Sequence, residues 1–170
     1  MDSSGGQRSQ PILMKLDRYH GWMQDLDLLR LTASEPLSLT EEYKLQQAWC
    51  DDEDKLDDPS LAEIEVMIAE AGNRGRGFGK EATAIMMHFG MRTLGIKTFQ
   101  AKIGVGNHPS LYMFRNFAFE EVARSEVFQE VILQRTVTSE WQSWLQTTLG
   151  SITEESYTES QARRTARVML

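Results

Sequence analysis

Residues 72–80 read GNRGRGFGK, a glycine-rich turn between a predicted strand and a predicted amphipathic helix. Its alternate glycines allow positive φ angles and remove the side chains that would hold an anion away from the backbone amides. The N-terminus of a helix also presents unpaired N–H groups and roughly half a positive charge. Arg74, Arg76 and Lys80 add cationic charge at the same place. The turn therefore predicts a site for a phosphate-containing ligand; the alternative is a flexible loop that only caps a helix.

The spacing of the turn restricts which phosphate ligand it fits. A P-loop requires Ser or Thr after its lysine, whereas Glu81 follows here. Gly77 and Gly79 can be aligned with a dinucleotide fingerprint, but its glycines should come directly after the strand. The region about twenty residues later, where that fingerprint places an acid, holds Lys97 and Lys102. Both patterns fit the turn poorly.

Upstream of the turn, the pattern predicts two helices and a strand. From residue 19 to residue 31, apolar side chains mostly recur every three or four positions, as on one helical face. Ser38 followed by Glu41 is a capping-box signal, which opens a second helix to about residue 49. Residues 61–69 alternate with a period of two, which predicts a strand whose apolar face carries Ile64, Val66 and Ile68.

Downstream of the turn, helices and strands continue to alternate. The helix after the turn spans residues 79–94, ends at Gly95 and carries one apolar side made of Ala82, Ile85, Met86 and Phe89. The remaining predicted elements are a strand at 98–103, a helix at 110–117, a hairpin of strands 119–123 and 127–136, and a last helix at about 141–149. The sequence therefore predicts an α/β or α+β fold with a mixed sheet flanked by helices.

Length and composition favour one globular domain. The chain has 170 residues, of which 41% are hydrophobic and 25% charged. Its net charge of -7 argues against a nucleic-acid or anionic-membrane partner. Cys50 alone cannot form an internal disulfide, the first ten residues lack an apolar leader, and no apolar run is long enough to span a bilayer. We therefore expect a cytoplasmic protein. The three histidines show no metal-ligand spacing, so no metal is expected.

The predicted domain covers residues 11–149 and is flanked by polar segments. Residues 1–10 are expected to form a disordered tail and residues 150–170 a loose C-terminal tail. Residues 11–16 predict a short edge strand. Residues 51–60 carry six carboxylates and one lysine, which predicts a solvated acidic linker. A calcium loop is excluded there, because the segment has neither the turn glycine nor the closing glutamate.

The turn resembles the coenzyme A loop of the GNAT acetyltransferase superfamily, Gln/Arg-x-x-Gly-x-Gly/Ala. Residues 74–79 fit this motif, including the strand before it and the helix after it. Residues 107–110, followed by residues 117–119, resemble the superfamily's Asn-x-x-Ser/Ala and Gly-Phe segments. Four further segments look like those of the eukaryotic N-acetyltransferase 9-like family: LTASEP at 31–36, EIEVMIAE at 63–70, AKIG at 101–104 and VFQEV at 127–131.

This resemblance, which spans about residues 19–149, implies that acetyl-CoA is the co-substrate. It assigns the pantetheine to the strand around Met67 and Ile68, with a backbone amide there stabilising the oxyanion. It assigns the pyrophosphate to the turn and further coenzyme contacts to the next loop. The implied coenzyme-binding residues are Met67, Ile68, Arg74, Gly75, Arg76, Gly77, Phe78, Gly79, Lys80, Asn107 and Ser110. For Ser110, a role as N-cap of the following helix is the alternative.

The resemblance also implies three catalytic residues, Glu63, Glu65 and Asn107. Glu63 matches a position at which some members carry a general base, often acting through water. Glu65 lies on the same strand face; for both glutamates the alternative is a solvated strand surface. Members that use a tyrosine as general acid have it where this chain has Phe114, and Tyr112 is two residues away, so the general acid stays unassigned.

One departure from the family concerns the strands that should precede Glu63. The ten residues at 51–60 can span the gap but cannot also form a hairpin. The expected sheet therefore lacks its first strand and its second-third hairpin, as in a shortened, splice-variant-like form. We expect an N-acetyltransferase that acts on a protein or peptide amine. The alternatives are a catalytically impaired form that binds coenzyme A or a protein partner without turnover, and a protein-interaction module that uses the linker and the last helix.

Overall fold

The computed structural model describes residues 16–51 and 58–153. The expected tail at 1–10, the predicted strand at 11–16 apart from its last residue, most of the acidic linker and most of the C-terminal tail lie outside the described residues. The chain divides into two compact units, Met1–Val137 and Thr138–Leu170. The expectation of a single domain over residues 11–149 stays a prediction.

The first unit contains five α-helices and four strands among its described residues. In chain order they are α1 (Leu16–Trp22), α2 (Leu26–Leu31), α3 (Leu39–Asp51), β1 (Leu61–Glu63), α4 (Phe78–Phe89), β2 (Thr98–Gly104), α5 (His108–Asn116), β3 (Glu120–Ser125) and β4 (Glu130–Thr136). A 3₁₀ turn (Ala71–Asn73) precedes α4, and a π-helical turn (Gly90–Leu94) follows it. In the second unit, α6 (Ser139–Leu149) begins after Thr138, whose Oγ1 accepts a hydrogen bond from the amide of Trp141 at 3.2 Å.

The strands form one mixed sheet in the order β1-β2-β4-β3. β1 runs parallel to β2, with Glu63 opposite Gln100, while the other two strand pairs are antiparallel. A parallel pair needs a crossover connection, and α4 lies within that connection. The predicted α/β fold with a mixed sheet flanked by helices is therefore confirmed. Residues 16–51 and 58–153 contain these four strands and no others.

The core of the first unit lies where α4 and α5 pack beside the two central strands. Buried side chains alternate along β2 and β4, as expected for strands with one face turned to a core. At the end of α5, the rings of Phe114 and Phe119 meet edge to face with centroids 5.1 Å apart. The core side chains of these elements include Met87, Phe99, Ala101, Ile103, Leu111, Phe117, Val131 and Leu133.

The prediction of one continuous helix at 19–31 is wrong, because the segment forms two helices, α1 and α2. Asp25 separates them: its carboxylate accepts hydrogen bonds from the amides of Asp27 at 2.9 Å and Leu28 at 3.3 Å. An aspartate in this position caps a new helix N-terminus. The apolar spacing persists across the break because both helices contribute to one buried cluster, with Met23 before the break and Leu28 after it.

The capping box that opens α3 is confirmed. Glu41 Oε2 accepts a hydrogen bond from the amide of Ser38 at 2.8 Å, and Ser38 Oγ accepts one from the amide of Glu41 at 3.4 Å. The two residues therefore satisfy each other's backbone donors at the start of the helix.

The predicted apolar face of α4 is wrong. Ala82, Ile85, Met86 and Phe89 are exposed, and the buried side chains are Thr83, Ala84, Met87 and His88. The helix has apolar residues on both sides, so the spacing alone fits two orientations. Gly90 decides between them, because a Cβ there would lie 3.1 Å from the ring of Phe99 on β2. Residues 83 and 87 lie on the same side of the helix as Gly90.

The other predicted elements are confirmed with shifted boundaries. The helix at 79–94 is α4 followed by the π-helical turn, and Gly95 ends it with a φ of +71°. The predicted hairpin is present, but β4 begins at Glu130 because Val127 and Phe128 lie in the turn.

The strand predicted at 61–69 is wrong beyond its first third, since β1 ends at Glu63. Among residues 16–51 and 58–153, no helix has the length and apolar composition needed to cross a bilayer.

Leu133 is fully buried at the centre of β4 and provides a test of the core. We expect Leu133→Ala to lower the free energy of unfolding by about 2–5 kcal/mol, because it removes buried methyl groups and leaves a cavity. Urea unfolding measures this loss. The matched control is Val122→Ala at the β-bulge of β3, where the side chain is 53% exposed and the change should stay within about 0.5 kcal/mol. Equal losses at both positions would contradict this core assignment.

Candidate functional site

The chain leaves the sheet immediately after β1. The amide of Ile64 still donates to the carbonyl of Gln100 on β2 at 2.8 Å. Beyond it, the amides of residues 65–69 find no hydrogen-bond acceptor within residues 16–51 and 58–153. We call residues 64–70 the departing segment. Backbone N–H groups need a partner when they are shielded from water, so this segment offers donors to a bound molecule.

Arg74 holds the end of the departing segment. Its Nε donates to the carbonyl of Ile68 at 2.8 Å and its Nη2 to the carbonyl of Ala69 at 2.9 Å. The sequence predicted Arg74 as a ligand of the coenzyme. Arg74 does line the cavity described below, but its two hydrogen bonds also fix the backbone of the departing segment. Sequence reasoning missed this second role, since an arginine in a glycine-rich turn gives no indication that it bonds to carbonyls.

The turn has the backbone geometry that the glycines predicted. Gly75 has a φ of +70° and Gly77 a φ of +90°, a conformation that side chains rarely adopt. Gly77 caps α4 without a side-chain hydrogen bond, and the amides of residues 78–80 have no acceptor among residues 16–51 and 58–153. Gly79 is different: it has no positive φ, and a Cβ there would meet Ile68 at 3.6 Å, an ordinary contact. The positive φ angles of this turn are therefore those of Gly75 and Gly77, directly before α4.

Arg76 is the only predicted coenzyme-binding residue that does not line the cavity at the turn. Its Nη1 donates to Asn73 Oδ1 at 3.1 Å, and its guanidinium lies 5.1 Å from the centre of the Phe78 ring. Arg76 therefore supports the outside of the turn, whereas Lys80 lines the cavity.

The first cavity, which we call the turn cavity, has a volume of about 550 Å³. It brings together ten of the predicted coenzyme-binding residues: Met67, Ile68, Arg74, Gly75, Gly77, Phe78, Gly79, Lys80, Asn107 and Ser110. Its opposite wall comes from α2, with Leu28, Leu31 and Thr32. Sequence reasoning missed this wall, although residues 31–36 were among the segments that resembled the family.

The second cavity, which we call the glutamate cavity, has a volume of about 600 Å³. It brings together the three predicted catalytic residues, Glu63, Glu65 and Asn107. Glu130 of β4 and Lys102 of β2 also line it, and Lys102 Nζ lies 2.7 Å from Glu63 Oε2. Lys102 was not predicted as a site residue. It lies two positions beyond the residue opposite Glu63, a diagonal contact that requires the strand register to be known.

The carboxylates determine the electrostatics of the glutamate cavity. The hydrogen bond that Lys102 donates to Glu63 raises the pKa of the Lys102 ammonium, although burial acts in the opposite direction. The negative charges of Glu63, Glu130 and Glu65 raise it further. Tyr19 lines the same cavity, and burial raises the pKa of its phenol. Lys102 is therefore charged and Tyr19 protonated at neutral pH.

The two cavities share one wall. Its residues are Leu31 and Thr32 at the end of α2, Val66 and Met67 of the departing segment, and Asn107 and Ser110 at the start of α5. The free amides of the departing segment therefore lie at the boundary between the cavities.

Asn107 holds the shared wall together. Its Oδ1 accepts a hydrogen bond from the amide of Ser110 at 3.3 Å, and its Nδ2 donates to the carbonyl of Leu31 at 3.2 Å. Asn107 is thus the N-cap of α5, and the alternative role of Ser110 as that cap is wrong. Ser110 is the third residue of the helix and lies in its first turn, because α5 begins at His108.

Phe114 and Tyr112 are the two residues that bear on the general acid, and they line different cavities. Phe114 is buried and lines the glutamate cavity, and its side chain has no hydroxyl that could donate a proton. The sequence placed Tyr112 away from the site. The structure instead places it in the wall of the turn cavity, with 72% of the residue exposed.

Comparison with known proteins agrees with this geometry. A family model described as Acetyltransferase (GNAT) domain matches residues 45–120. A human protein named alpha/beta-tubulin-N-acetyltransferase 9 is 41% identical over 85% of this chain and 86% of its own length. An N-acetyltransferase 9-like protein of Nematostella vectensis is 42% identical over 69% of this chain and 75% of its own length.

Solved structures show the same fold. A spermidine N-acetyltransferase from Vibrio cholerae, determined in complex with CoA and spermine, superimposes with a TM-score of 0.63. The match covers 75% of this chain and 92% of that protein, at 13% sequence identity. Together, the glycine turn, the two adjoining cavities and these relatives show that the chain belongs to the GNAT acetyltransferase family, as an N-acetyltransferase related to the N-acetyltransferase 9-like proteins.

Proposed function

We propose that this N-acetyltransferase transfers the acetyl group of acetyl-CoA to an amine of a protein or peptide. The observation that carries the proposal is the shared wall, where unpaired backbone amides separate an anion-binding cavity from a cavity lined by carboxylates. Two reactants that must exchange a small group need adjoining sites of this kind, because proximity and orientation supply much of the rate enhancement.

The turn cavity fits coenzyme A at both of its chemically distinct ends. The unpaired amides at the start of α4, together with Lys80, suit a pyrophosphate. The departing segment suits the pantetheine, whose amide groups can bond to its free backbone donors. When bound, acetyl-CoA supplies an acetyl group activated as a thioester. The amides around Met67 are the donors best placed to bind the acetyl carbonyl oxygen.

The glutamate cavity suits the amine. Three carboxylates and one ammonium line it, so its net charge attracts a protonated amine. That amine must lose a proton before it can act as a nucleophile. A protein α-amino group, with a pKa of about 8, loses its proton more easily than a lysine side chain, with a pKa of about 10.4. The site therefore favours an N-terminal amine. Because the human relative is named for tubulin, tubulin is the acceptor to test first.

Of the two predicted bases, Glu65 is better placed to accept the proton. Glu63 is held in its ion pair with Lys102 at 2.7 Å. Glu65 has no hydrogen bond or ion pair to any residue of the described ranges 16–51 and 58–153, and it lines the same cavity. We assign Glu65 as the proton acceptor and the Glu63–Lys102 pair as the charge that shapes the cavity beside it.

The acetyl transfer itself can be tested with radiolabelled acetyl-CoA and synthetic peptides that carry the N-terminal sequences of α- and β-tubulin. We expect label on peptides with a free α-amine and little label on the same peptides with a blocked N-terminus and an internal lysine. Label that appears equally on both sets would contradict the N-terminal preference. Binding of acetyl-CoA without product on any amine would contradict the proposed reaction.

The coenzyme site can be tested at Gly77. We expect Gly77→Glu to abolish the calorimetric heat of acetyl-CoA binding, because it places a carboxylate against the phosphates and a side chain at a φ of +90°. Gly77→Ala separates these causes: it introduces the backbone strain alone and should weaken binding without abolishing it.

Gly72→Glu is the matched control for the added charge. Gly72 has no positive φ, has open space around it and does not line the turn cavity, so binding should remain close to that of the unsubstituted protein. Normal affinity in folded Gly77→Glu would show that the phosphates bind elsewhere.

The base can be tested by replacing each carboxylate with its amide. We expect Glu65→Gln to lower kcat about 100-fold, the lower range for the loss of a general base, and Glu63→Gln to lower it less. The affinity for acetyl-CoA should not change in either variant. Glu121→Gln, in an exposed ion pair on β3, is the control and should keep full activity. An unchanged rate for Glu65→Gln across the pH range would exclude Glu65 as the base.

A further inference from the structure

We infer that Glu70 is a positioning residue for the coenzyme, because its carboxylate fastens α1 to the end of the departing segment. The inference rests on the proposed binding of acetyl-CoA in the turn cavity. We call the group formed by Glu70, Arg18 and Trp22 the α1 clasp. None of its three members lines the turn cavity or the glutamate cavity, so the clasp acts through the elements it joins.

The geometry of the α1 clasp is a closed triangle. Glu70 Oε1 accepts a hydrogen bond from Arg18 Nη2 at 3.0 Å and another from Trp22 Nε1 at 3.0 Å. The Arg18 guanidinium also lies 5.0 Å from the centre of the Trp22 ring, within the range of a cation–π contact. The hydrogen bonds from Arg18 and Trp22 lower the pKa of Glu70, so the carboxylate is charged at neutral pH.

The clasp matters because Tyr19 of α1 lines the glutamate cavity, and α2, which follows α1, lines both cavities through Leu31. Met23 lines the glutamate cavity, Leu28 lines the turn cavity, and both belong to one buried cluster. Met67 and Ala69 of the departing segment pack against that cluster. Apolar packing is non-directional, so it holds the helices and the departing segment together without fixing their relative position. The two hydrogen bonds to Glu70 are directional and therefore fix that relative position.

The departing segment is thereby held by two devices at three consecutive residues. Arg74 bonds to the carbonyls of Ile68 and Ala69, and the α1 clasp holds the side chain of Glu70. Within the described ranges, no backbone hydrogen bond from the amides of residues 65–69 helps to fix this stretch. The position of those amides therefore depends on side chains at its far end.

The clasp is too exposed to matter much for folding. The side chains of Arg18 and Glu70 are 67% and 49% exposed, and ion pairs of this kind contribute little to stability. We therefore expect its loss to appear in coenzyme binding rather than in the melting temperature.

The test compares Glu70→Ala, Glu70→Gln and the control Glu121→Ala in the full chain. Glu70→Ala should raise the KM for acetyl-CoA and its calorimetric Kd about 5-fold, a typical size for one coupled interaction, with kcat at saturation within about 2-fold. Glu70→Gln should recover most of the affinity, because its amide oxygen still accepts a hydrogen bond from Trp22 Nε1. Glu121→Ala removes a comparably exposed pair with Arg124 and should change neither quantity.

A double substitution separates the clasp from an effect of Glu70 alone. Trp22→Phe should raise the KM for acetyl-CoA, and adding it to Glu70→Ala should raise the KM no further, because both remove the same contact. Additive effects would overturn the clasp. An unchanged KM in Glu70→Ala, or an equal rise in Glu121→Ala, would overturn the positioning role.

A second measurement distinguishes failure of this inference from failure of the proposed function. Hydrogen exchange of the α1 amides can be measured without a ligand. The same holds for the amide of Met23, which follows α1 and donates to the Tyr19 carbonyl. We expect faster exchange in Glu70→Ala than in Glu121→Ala. If the unsubstituted protein bound no acetyl-CoA, the proposed function would fail, and this exchange difference would still decide whether the clasp exists. No difference in exchange would overturn the clasp.

Discussion

The separation of the chain from β2 after Ile64 is the constraint on which the rest of the structure depends. A strand that continued beside β2 would bond every second amide to that strand and leave fewer donors for another molecule. Because pairing with β2 stops after Ile64, the amides of residues 65–69 have no acceptor within residues 16–51 and 58–153, and this stretch lines the two cavities. The fold then has to hold an unpaired stretch of backbone in place by other means. Arg74 does so by donating to the carbonyls of Ile68 and Ala69, and Glu70 by accepting hydrogen bonds from Arg18 and Trp22 of α1.

The distribution of charge follows the same division. The chain is acidic overall, yet Arg74, Arg76 and Lys80 are concentrated in one turn beside a helix N-terminus. The carboxylates of Glu63, Glu65 and Glu130 lie on the other side of the shared wall. An anionic and a cationic reactant are therefore each attracted to a different cavity. Under the proposed function, this separation would keep the cationic amine away from the turn and bring both reactants to the same row of amides.

Much of this could be predicted from the sequence, and the errors have physical causes. The glycine turn was readable because positive φ angles restrict the residue type, and the capping box because its partners are three residues apart. The length of β1 was not readable: an alternating pattern shows which faces differ but not where a neighbouring strand stops pairing. The buried face of α4 was predicted incorrectly because that helix is apolar on two sides, and a contact between Gly90 and a distant strand selects one of them.

The site shows the same limit. All three predicted catalytic residues line one cavity, and ten of the eleven predicted coenzyme residues line the other. The residues that sequence reasoning missed are those contributed across space, such as Leu28 and Lys102. Leu28 lies in no quoted motif, and the AKIG segment that contains Lys102 gives no role to the lysine; each becomes relevant only through the packing of α2 or the register between β1 and β2.

The close approach of Gly90 to Phe99 has a mechanical consequence for the opposite end of α4. The twelve residues of the helix place its first turn about 18 Å from Gly90. The helix is stiff and contacts the sheet at this end. A side chain at position 90 would increase the separation from Phe99 by a few tenths of an ångström, which would tilt the helix and change the direction of its dipole. Gly90, a residue that borders neither cavity, thus helps to set the direction of the positive end of the α4 dipole.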